Sequence, residues 1–321
     1  MLRIPSGRGE GANVVALGGG HGLAATLRAL RRVTDQVTAV VGVADNGGSS
    51  GRLREEFDVL PPGDLRMALA ALCGDDTWGR TWSRVIQHRF GGVGELAGHS
   101  LGNLLITALW EETADAVEGL DWVGALLGAH GRVLPSANEP LTICAEVDGV
   151  GVVRGQVQVA TVSGRVERVW LEPKKVTAVA EAVAAVMAAD VVVMGPGSWF
   201  TSVIPHVLVP ELAAALHDTP ARRVLVLNLD PDPETQGYDI ASHIDVLAAH
   251  APELRFDVVL ADERMARDVH ALESAAARVG AALIVARLGY ADRRRAGQHD
   301  PDLLASALAP LVEHGRITAW P

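Results

Sequence analysis

The sequence predicts an α/β fold, in which a Rossmann-like and mainly parallel sheet carries helices on both faces and a small antiparallel β insertion. Residues 14–17 are a continuous apolar run that leads directly into a glycine-rich loop. Residues 23–32 then have leucines at helical spacing, and a second apolar run follows at residues 37–44. A buried strand, a glycine turn, a helix and another buried strand are the opening of a parallel unit.

The first glycine-rich loop, residues 18–22, follows the first predicted strand. Its glycines allow a tight turn and allow a ligand phosphate to approach the main-chain amides. Residues 20–25 fit the loose dinucleotide-binding pattern, and Asp45 lies where a ribose-binding acid is expected. This loop by itself therefore admits a nicotinamide cofactor. Its His21 either contacts a phosphate or faces solvent.

The second glycine-rich loop, residues 45–54, contains glycines, two serines and two arginines. Amides and fork-shaped guanidiniums in such a loop form a second cradle for an anion. The alternative is a flexible surface loop with solvated arginines. A ribose-binding acid requires no such sequence behind it, so no nicotinamide cofactor is expected.

The elements that follow continue as helices up to Pro135. We predict helices at residues 62–72, 78–89, 101–112 and 121–128. Asp75 and Asp76 favour a helix cap over a metal site. His99 and Asn103, at the start of the third of these helices, either orient a ligand or satisfy the helix's own free amides.

The middle of the chain is rich in β-branched residues. Residues 141–147, 152–160 and 166–171 predict three strands, separated by turn residues at hairpin spacing. We expect a small antiparallel meander over residues 136–172. It separates an N-terminal Rossmann-like half with a helical insertion, residues 1–135, from a C-terminal α/β half, residues 173–321, that completes the same sheet.

The α/β alternation returns after residue 173 and contains a third glycine turn. We predict helices at residues 176–189, 211–217, 240–250, 265–279 and 301–312, and strands at residues 190–194, 224–227, 256–260 and 283–285. Residues 195–202 follow a strand and combine glycines with hydroxyls, which predicts either a phosphate or sugar contact or a tight structural turn. Because ligands of open parallel sheets bind at the carboxyl ends of strands, we expect the three glycine turns and Asn228 to form one pocket for a diphosphate.

The composition excludes several classes of protein. A net charge of −11 and a pI near 5.4 argue against a general nucleic-acid-binding surface. The two cysteines, Cys73 and Cys144, have no paired spacing, so we expect buried free thiols. The most apolar later stretch, residues 176–194, contains two acids and does not predict a membrane span. Residues 1–12 lack an apolar signal core, which predicts a cytoplasmic protein, and a homodimer is the expected oligomer.

Six short motifs resemble the CofD-like superfamily. GGGHG at residues 18–22, ADNGGSSGRLR at 44–54 and PPGDLR at 61–66 are similar to its YvcK-like branch of gluconeogenesis or morphogenesis factors. HSLGNL at 99–104, RVLP at 132–135 and GPGS at 195–198 match in the same order. Two positions depart from the family pattern: His21 stands where threonine is expected, and Asn46 stands where a second aspartate is expected.

The resemblance implies two alternative functions. The YvcK-like branch implies a regulatory factor for cell shape and growth on gluconeogenic carbon sources that binds UDP-sugars. The related branch implies a 2-phospho-L-lactate transferase, a Mg²⁺-dependent transferase of a phosphoester group from a nucleotide-linked donor. In that case Asp45 would hold the metal and Arg52 would stabilise the developing charge. Asn46 brings no charge, which would weaken a magnesium site.

The loop chemistry and the resemblance together give one set of predicted site residues. Asp45 and Arg52 are the catalytic candidates, and Asp45 is the metal ligand. The predicted nucleotide and phosphate contacts are Gly19, Gly20, His21, Gly22, Asn46, Gly47, Gly48, Ser49, Ser50, Asp64, Arg66, His99, Asn103, Gly195, Gly197, Ser198, Thr201, Ser202 and Asn228.

Overall fold

Parallel strands form the centre of the molecule. The computed structural model describes residues 11–229, 233–235, 237–295 and 297–313. The strands in these residues are β1 (Val14–Gly18), β2 (Val37–Val41), β3 (Arg132–Pro135), β4 (Thr142–Val147), β5 (Gly151–Arg154), β6 (Val166–Glu172), β7 (Val191–Met194), β8 (Arg222–Val226), β9 (Val258–Asp262) and β10 (Ala282–Ala286). Seven of them pair in the order β10-β9-β8-β7-β1-β2-β3, and every pair is parallel. The chain thus runs outward in one direction from β1 and in the other from β7, so the strand order reverses between these two neighbours.

Helices connect and cover the strands. Their bounds are α1 (Gly20–Leu30), α2 (Gly48–Phe57), α3 (Pro62–Leu72), α4 (Thr77–Gln87), α5 (Leu101–Thr113), α6 (Ala116–Leu127), α7 (Gln156–Thr161), α8 (Ala180–Ala188), α9 (Pro210–Asp218), α10 (Ile240–His250), α11 (Val269–Arg278) and α12 (Pro301–Glu313). Every residue of β1 is buried, as expected for a parallel strand covered on both faces. The predicted α/β class is therefore confirmed.

The small β insertion is a separate three-stranded antiparallel sheet in the order β5-β4-β6. Two side chains from the C-terminal half attach it to the body. Nε2 of His250 accepts the N–H of Val169 at 3.1 Å, and the Tyr238 hydroxyl donates to the carbonyl of Val166 at 2.6 Å. Strands from both predicted halves meanwhile share the seven-stranded sheet.

One predicted strand is wrong. Residues 152–160 were expected to be a strand, but the strand ends at Arg154 and α7 begins at Gln156. Gly155 has a φ of +100°, which breaks the extended backbone, and Asn46 accepts the N–H of Val157 from outside the segment. The apolar alternation of these residues thus buries Val159 on a short helix.

Several predicted boundaries also move, and for α6 and α11 a capping aspartate accounts for the observed start. The second glycine loop is helical from Gly48 onward, so most of the predicted loop is α2. Helix α6 begins at Ala116 rather than residue 121, since Asp115 accepts from its first amides. Asp268 likewise caps α11, whereas residues 176–179 precede α8 in extended form. Asp76 caps α4, as predicted.

The structure also describes the two cysteines and the most apolar helices. Cys73 and Cys144 are buried free thiols, as predicted. In the described ranges no single helix is long and apolar enough to cross a bilayer, although Trp199–Leu208 and Pro210–Asp218 together reach that length and composition across an 80° bend. Residues 1–10 of the N-terminal stretch that was predicted to lack a signal core lie outside the described residues, as do residues 230–232 and 236.

Candidate functional site

The first and third glycine turns touch at the carboxyl edge of the sheet. A Cβ atom on Gly22 would lie 2.2 Å from the carbonyl oxygen of Pro196 and 2.9 Å from the Cα of Gly197. Thr26 of α1 donates its hydroxyl to the carbonyl of Gly195 at 3.1 Å, inside the protein. The turn after β1 and the turn after β7 are therefore one packed unit at the point where strand order reverses.

Asn228 joins this unit from the neighbouring strand. It follows β8, and its Oδ1 accepts the N–H of Gly197 at 2.9 Å. Gly195 has a φ of +75° and its Cβ would lie 2.7 Å from the carbonyl of Val226, so a side chain there would clash with β8. Three adjacent strand ends thus supply the first turn, the third turn and Asn228.

A short turn of π-helix, Trp199–Val203, shapes the third turn. The carbonyl of Ser198 accepts the N–H groups of both Ser202 and Val203, at 2.7 and 3.1 Å. Ser202 also faces the first turn, since its Oγ lies 3.4 Å from where a Cβ on Gly19 would be. Thr201 and Ser202 are buried, so their hydroxyls are part of the wall of this edge.

Asp64 and Asp45 bring two carboxylates to the same edge. Oδ2 of Asp64 lies 2.5 Å from where a Cβ on Gly19 would be, and Oδ2 of Asp45 lies 2.8 Å from the equivalent point on Gly63. Burial, followed by the negative charge of Asp45, raises the pKa of Asp64 to about 7, although the hydrogen bond from the Gly20 amide and the charge of Arg66 oppose the shift. Asp64 can therefore hold or release a proton near neutral pH.

These two carboxylates fit part of a magnesium site. Mg²⁺ prefers oxygen ligands and commonly takes one or two carboxylates together with substrate phosphates and water. The described residues contain no group of three or more His, Cys, Asp or Glu that could hold a metal ion. A magnesium ion at Asp45 and Asp64 would therefore depend on the oxygens of a phosphorylated ligand.

A buried hydrogen-bond chain links the second loop to α3 and α5. Nε of Arg66 donates to Oδ1 of Asn103 at 2.8 Å, and Nδ2 of Asn103 donates to the Ser49 hydroxyl at 3.0 Å. Ser49 in turn lies 3.0 Å from Nδ1 of His99. Burial, followed by the charge of Arg52, lowers the pKa of His99, so Nδ1 of the neutral ring can accept the Ser49 hydroxyl hydrogen. Four predicted site residues are thus bonded to one another.

Arg66 is the positively charged member of this hydrogen-bond chain. Burial lowers its pKa to about 10, and Arg89 adds to that effect, while the carboxylates of Asp64 and Asp45 oppose it. It remains charged at neutral pH. Its Nε is held by Asn103, and within the described residues no ion pair joins Arg66 to Asp45 or Asp64.

Asn46 and Arg52 are bonded to other parts of the protein, and His21 is exposed. Nδ2 of Asn46 donates to Oε1 of Gln158 at 2.9 Å and its Oδ1 accepts the N–H of Val157, so the amide fixes α7. Arg52 is exposed and donates to the carbonyls of Glu95 and Ala97, at 3.4 and 2.8 Å. His21 is exposed in the first turn of α1. Their ligand roles stay predictions.

Two residues that support the site were not predicted from the sequence. Thr26 lies on an apolar helix face, where its hydroxyl gave no sign of a partner 169 residues away. Glu234 is buried and its Oε1 accepts the N–H of Phe200 in the third turn at 2.8 Å. A glutamate in a polar stretch is normally expected to face solvent. Only the burial of Glu234 in the structure shows that it supports the site.

Known proteins share this sequence and fold. The family described as 2-phospho-L-lactate transferase CofD matches residues 14–285. A candidate gluconeogenesis factor of Mycobacterium tuberculosis is 54% identical over 306 residues, 92% of this chain and 89% of that protein. The gluconeogenesis factor of Bacillus subtilis is 37% identical over 243 residues, 75% of this chain and 76% of that protein.

A solved structure has the same architecture. The crystal structure of a protein of the UPF0052 family from Bacillus halodurans aligns with a TM-score of 0.84 at 32% sequence identity. The alignment covers 94% of this chain and 99% of that chain. The family match at residues 14–285 thus spans the candidate site at the carboxyl edge of the sheet.

Proposed function

The chain belongs to the CofD family, together with the gluconeogenesis factors, and from that premise we propose that it is a cytoplasmic regulatory factor that binds a UDP-sugar. The contact between the first and third glycine turns carries the proposal. A diphosphate lying across Gly19, Gly20, Gly22 and Gly197 would meet main-chain amides at the start of α1, where the helix dipole favours negative charge.

The two ends of such a ligand would meet different groups. The pyrophosphate lies at the first and third turns, and the hydroxyls of Ser198, Thr201 and Ser202 are the partners for the sugar or the ribose. Asp64, when protonated, donates to a phosphate oxygen. Arg66 adds positive charge beside Asp64, and the chain of Asn103, Ser49 and His99 holds it in place.

Two contacts support binding without turnover. Asn46 uses both of its polar atoms to hold α7, so it adds no ligand to a metal at Asp45. The Arg52 guanidinium donates to two main-chain carbonyls, so it would have to leave them to stabilise a developing charge. Both residues belong to the set from which a transferase of this family would draw its chemistry.

The role follows from the relatives, which are gluconeogenesis factors. We infer that this chain supports growth on gluconeogenic carbon sources and the maintenance of cell shape, and that it acts as a homodimer. The expected result of expressing it in Bacillus subtilis that lacks its own gluconeogenesis factor is restored growth on such a carbon source. Failure of a stably expressed chain to restore growth would contradict this role.

The second candidate function is a Mg²⁺-dependent transferase of a phosphoester group. The negative charge of Asp45 raises the pKa of Asp64, so the two carboxyl groups interact. This interaction favours the transferase, because magnesium commonly binds one or two carboxylates together with substrate phosphates. Magnesium would neutralise phosphate charge there. The chain's own contribution would be the orientation of the phosphates by the α1 amides and a proton held on the Asp64 carboxyl.

One binding experiment separates these functions. Isothermal titration with UDP-glucose, UMP and NAD, each with and without Mg²⁺, tests the ligand class, and ³¹P NMR of these mixtures and of one with a nucleotide-linked phospholactate tests turnover. We expect UDP-glucose to bind more tightly than UMP, with no phosphorus-containing product. Release of nucleotide from a nucleotide-linked phospholactate would favour the transferase, and binding of NAD alone would contradict both.

A further inference from the structure

A second cavity lies at the opposite ends of two helices that form the candidate site. Helices α1 and α3 each have eleven residues, about 16 Å, and each begins at the nucleotide edge. Their carboxyl ends, together with α4, line a half-open cavity of about 370 Å³. This volume lies within the range of about 300–1,000 Å³ that small-molecule sites occupy.

The lining of this cavity is strongly positive in an acidic protein. Five arginines line it, Arg28, Arg31, Arg32, Arg80 and Arg84, and the one acidic residue of the lining is Asp75. The whole chain carries a net charge of −11. Arg32 also contacts Asp302 of α12 at 2.8 Å. Even with both acids subtracted, the cavity keeps an excess of positive charge.

Arg31 is built into the floor of the cavity. Only 10% of its side chain is exposed, and it donates to the carbonyl of Cys73 and to the carboxylate of Asp75. Its Nε is buried and has no hydrogen-bond partner among the residues that the structure describes. A buried donor without a partner is destabilising, so an acceptor that reached it would stabilise the protein.

The three arginines at the carboxyl end of α1, Arg28, Arg31 and Arg32, also repel one another. Burial lowers the pKa of Arg28, and the guanidiniums of Arg31 and Arg32 lower it further, although the Tyr290 side chain opposes them. An anion placed between these groups would remove the repulsion. It would also bring each guanidinium a partner that matches its fork of donors.

The helix dipole explains only part of this arrangement. Basic residues at the carboxyl end of a helix compensate its partial negative charge, which accounts for Arg28 in the last turn of α1 and for Arg31 and Arg32 just beyond it. Arg80 and Arg84 lie on a different helix, one turn apart, and line the same cavity. Arg84 is exposed and forms no hydrogen bond within the described ranges, so packing does not account for its position.

We propose that this cavity is a second ligand site, for a compact phosphorylated molecule that carries at least two negative charges. The number of guanidiniums argues for more than one charge, and their planar forks argue for phosphoryl oxygens. The site shares no lining residue with the nucleotide edge, and the proposal does not depend on which nucleotide binds there.

The test uses inorganic pyrophosphate as the probe, titrated into the full chain in a buffer without Mg²⁺ or phosphate. We expect binding that weakens when NaCl is raised from about 50 to about 300 mM, because screening reduces the attraction between charges. Arg84→Glu should weaken binding at least about tenfold, and Arg84→Gln by a smaller factor. Both variants should melt at the wild-type temperature, since Arg84 supports no described contact.

Lys174→Glu is the matched control, because it makes the same charge change at an exposed residue outside the cavity lining. It should bind pyrophosphate within about twofold of wild type, as expected when only the distant net charge changes. Unchanged binding by Arg84→Glu, or no binding by wild type, would overturn the proposal. Displacement of pyrophosphate by UDP-glucose would assign the probe to the nucleotide edge instead, and equal binding of citrate would refute the preference for phosphoryl groups.

Discussion

The Cβ position of Gly22 and the carbonyl oxygen of Pro196 are 2.2 Å apart, which is closer than any side chain permits. Gly22 lies in the first turn of α1 and Pro196 lies in the turn after β7, so this approach fixes the distance between the two turns. The pocket for a diphosphate requires that distance, because both turns would line it.

Replacing Gly22 by alanine should separate the two turns. We expect Gly22→Ala to lower the free energy of unfolding by about 1–3 kcal/mol, the usual cost of overpacking. UDP-glucose binding should weaken at least about tenfold, since the amides lose their alignment. Gly91→Ala is the control, because a Cβ there meets nothing within 4 Å. Wild-type affinity in Gly22→Ala would mean that the ligand does not bridge the turns.

The pKa of Asp64 predicts how stability depends on pH. Its carboxyl has an ordinary pKa of 3.8 and a folded pKa of about 7. Between these values the folded protein holds a proton that the unfolded chain has released, so stability falls as pH rises. Since Asp64 keeps some access to water, we expect about 1–2 kcal/mol by pH 8.

Asp64→Asn tests this prediction, because it keeps an acceptor for Gly20 and removes the charge. Urea denaturation from about pH 4 to about pH 8 should give a flatter profile than wild type and greater stability at the upper end. Asp35→Asn, at an exposed aspartate, is the control. A parallel profile for wild type and Asp64→Asn would refute the raised pKa.

Nucleotide binding should respond to pH in opposite directions with and without Mg²⁺. Without the metal, deprotonation of Asp64 puts a second carboxylate beside the phosphates, so affinity for UDP-glucose should fall between about pH 6 and pH 8. With Mg²⁺, the ionised pair of Asp45 and Asp64 binds the cation, so affinity should be retained or rise. Isothermal titration at both ends of this range measures the difference, and the same trend in both series would count against a metal at these carboxylates.

Asn46 should be more important for stability than for metal binding. Asn46→Ala removes the bonds to Val157 and Gln158, and we expect a loss of about 1–2 kcal/mol. Asn46→Asp keeps the cap of α7, and the Gln158 amide can rotate to donate to it, so its stability should stay within about 1 kcal/mol of wild type. Equal losses in the two variants, measured by urea denaturation, would show that the cap contributes nothing.

The sequence was sufficient for the parts of the fold that depend on local patterns. Short apolar runs followed by glycines predicted β1, β2 and β7 and the turns after them, because a buried parallel strand needs apolar residues on both faces. The direction of a long side chain depends on tertiary packing and not on the neighbouring residues in the sequence. Arg52 was therefore recognised as a cation near the site, but its partners, the carbonyls of Glu95 and Ala97, come from tertiary packing.

Long-range contacts also explain the errors. Residues 152–160 alternate as a strand does, yet Asn46 from a distant loop caps a helix there. The arginine cavity was not predicted either, because Arg28, Arg31 and Arg32 match the basic end of a solvated helix, and the packing of α4 brings Arg80 and Arg84 to them. The residues of a site can thus be proposed from sequence, whereas their assembly depends on helix packing.

The pairing of β1 with β7 has a consequence for biosynthesis. The N–H of Asn13, just before β1, donates to Asp190, just before β7, and 177 residues separate them. At about 5–20 residues per second, a ribosome needs on the order of 10–35 s to make that interval. During this time the edge of β1 that pairs with β7 has no neighbouring strand. We therefore expect that edge of β1 to be open to mispairing with other polypeptides until β7 has been synthesised.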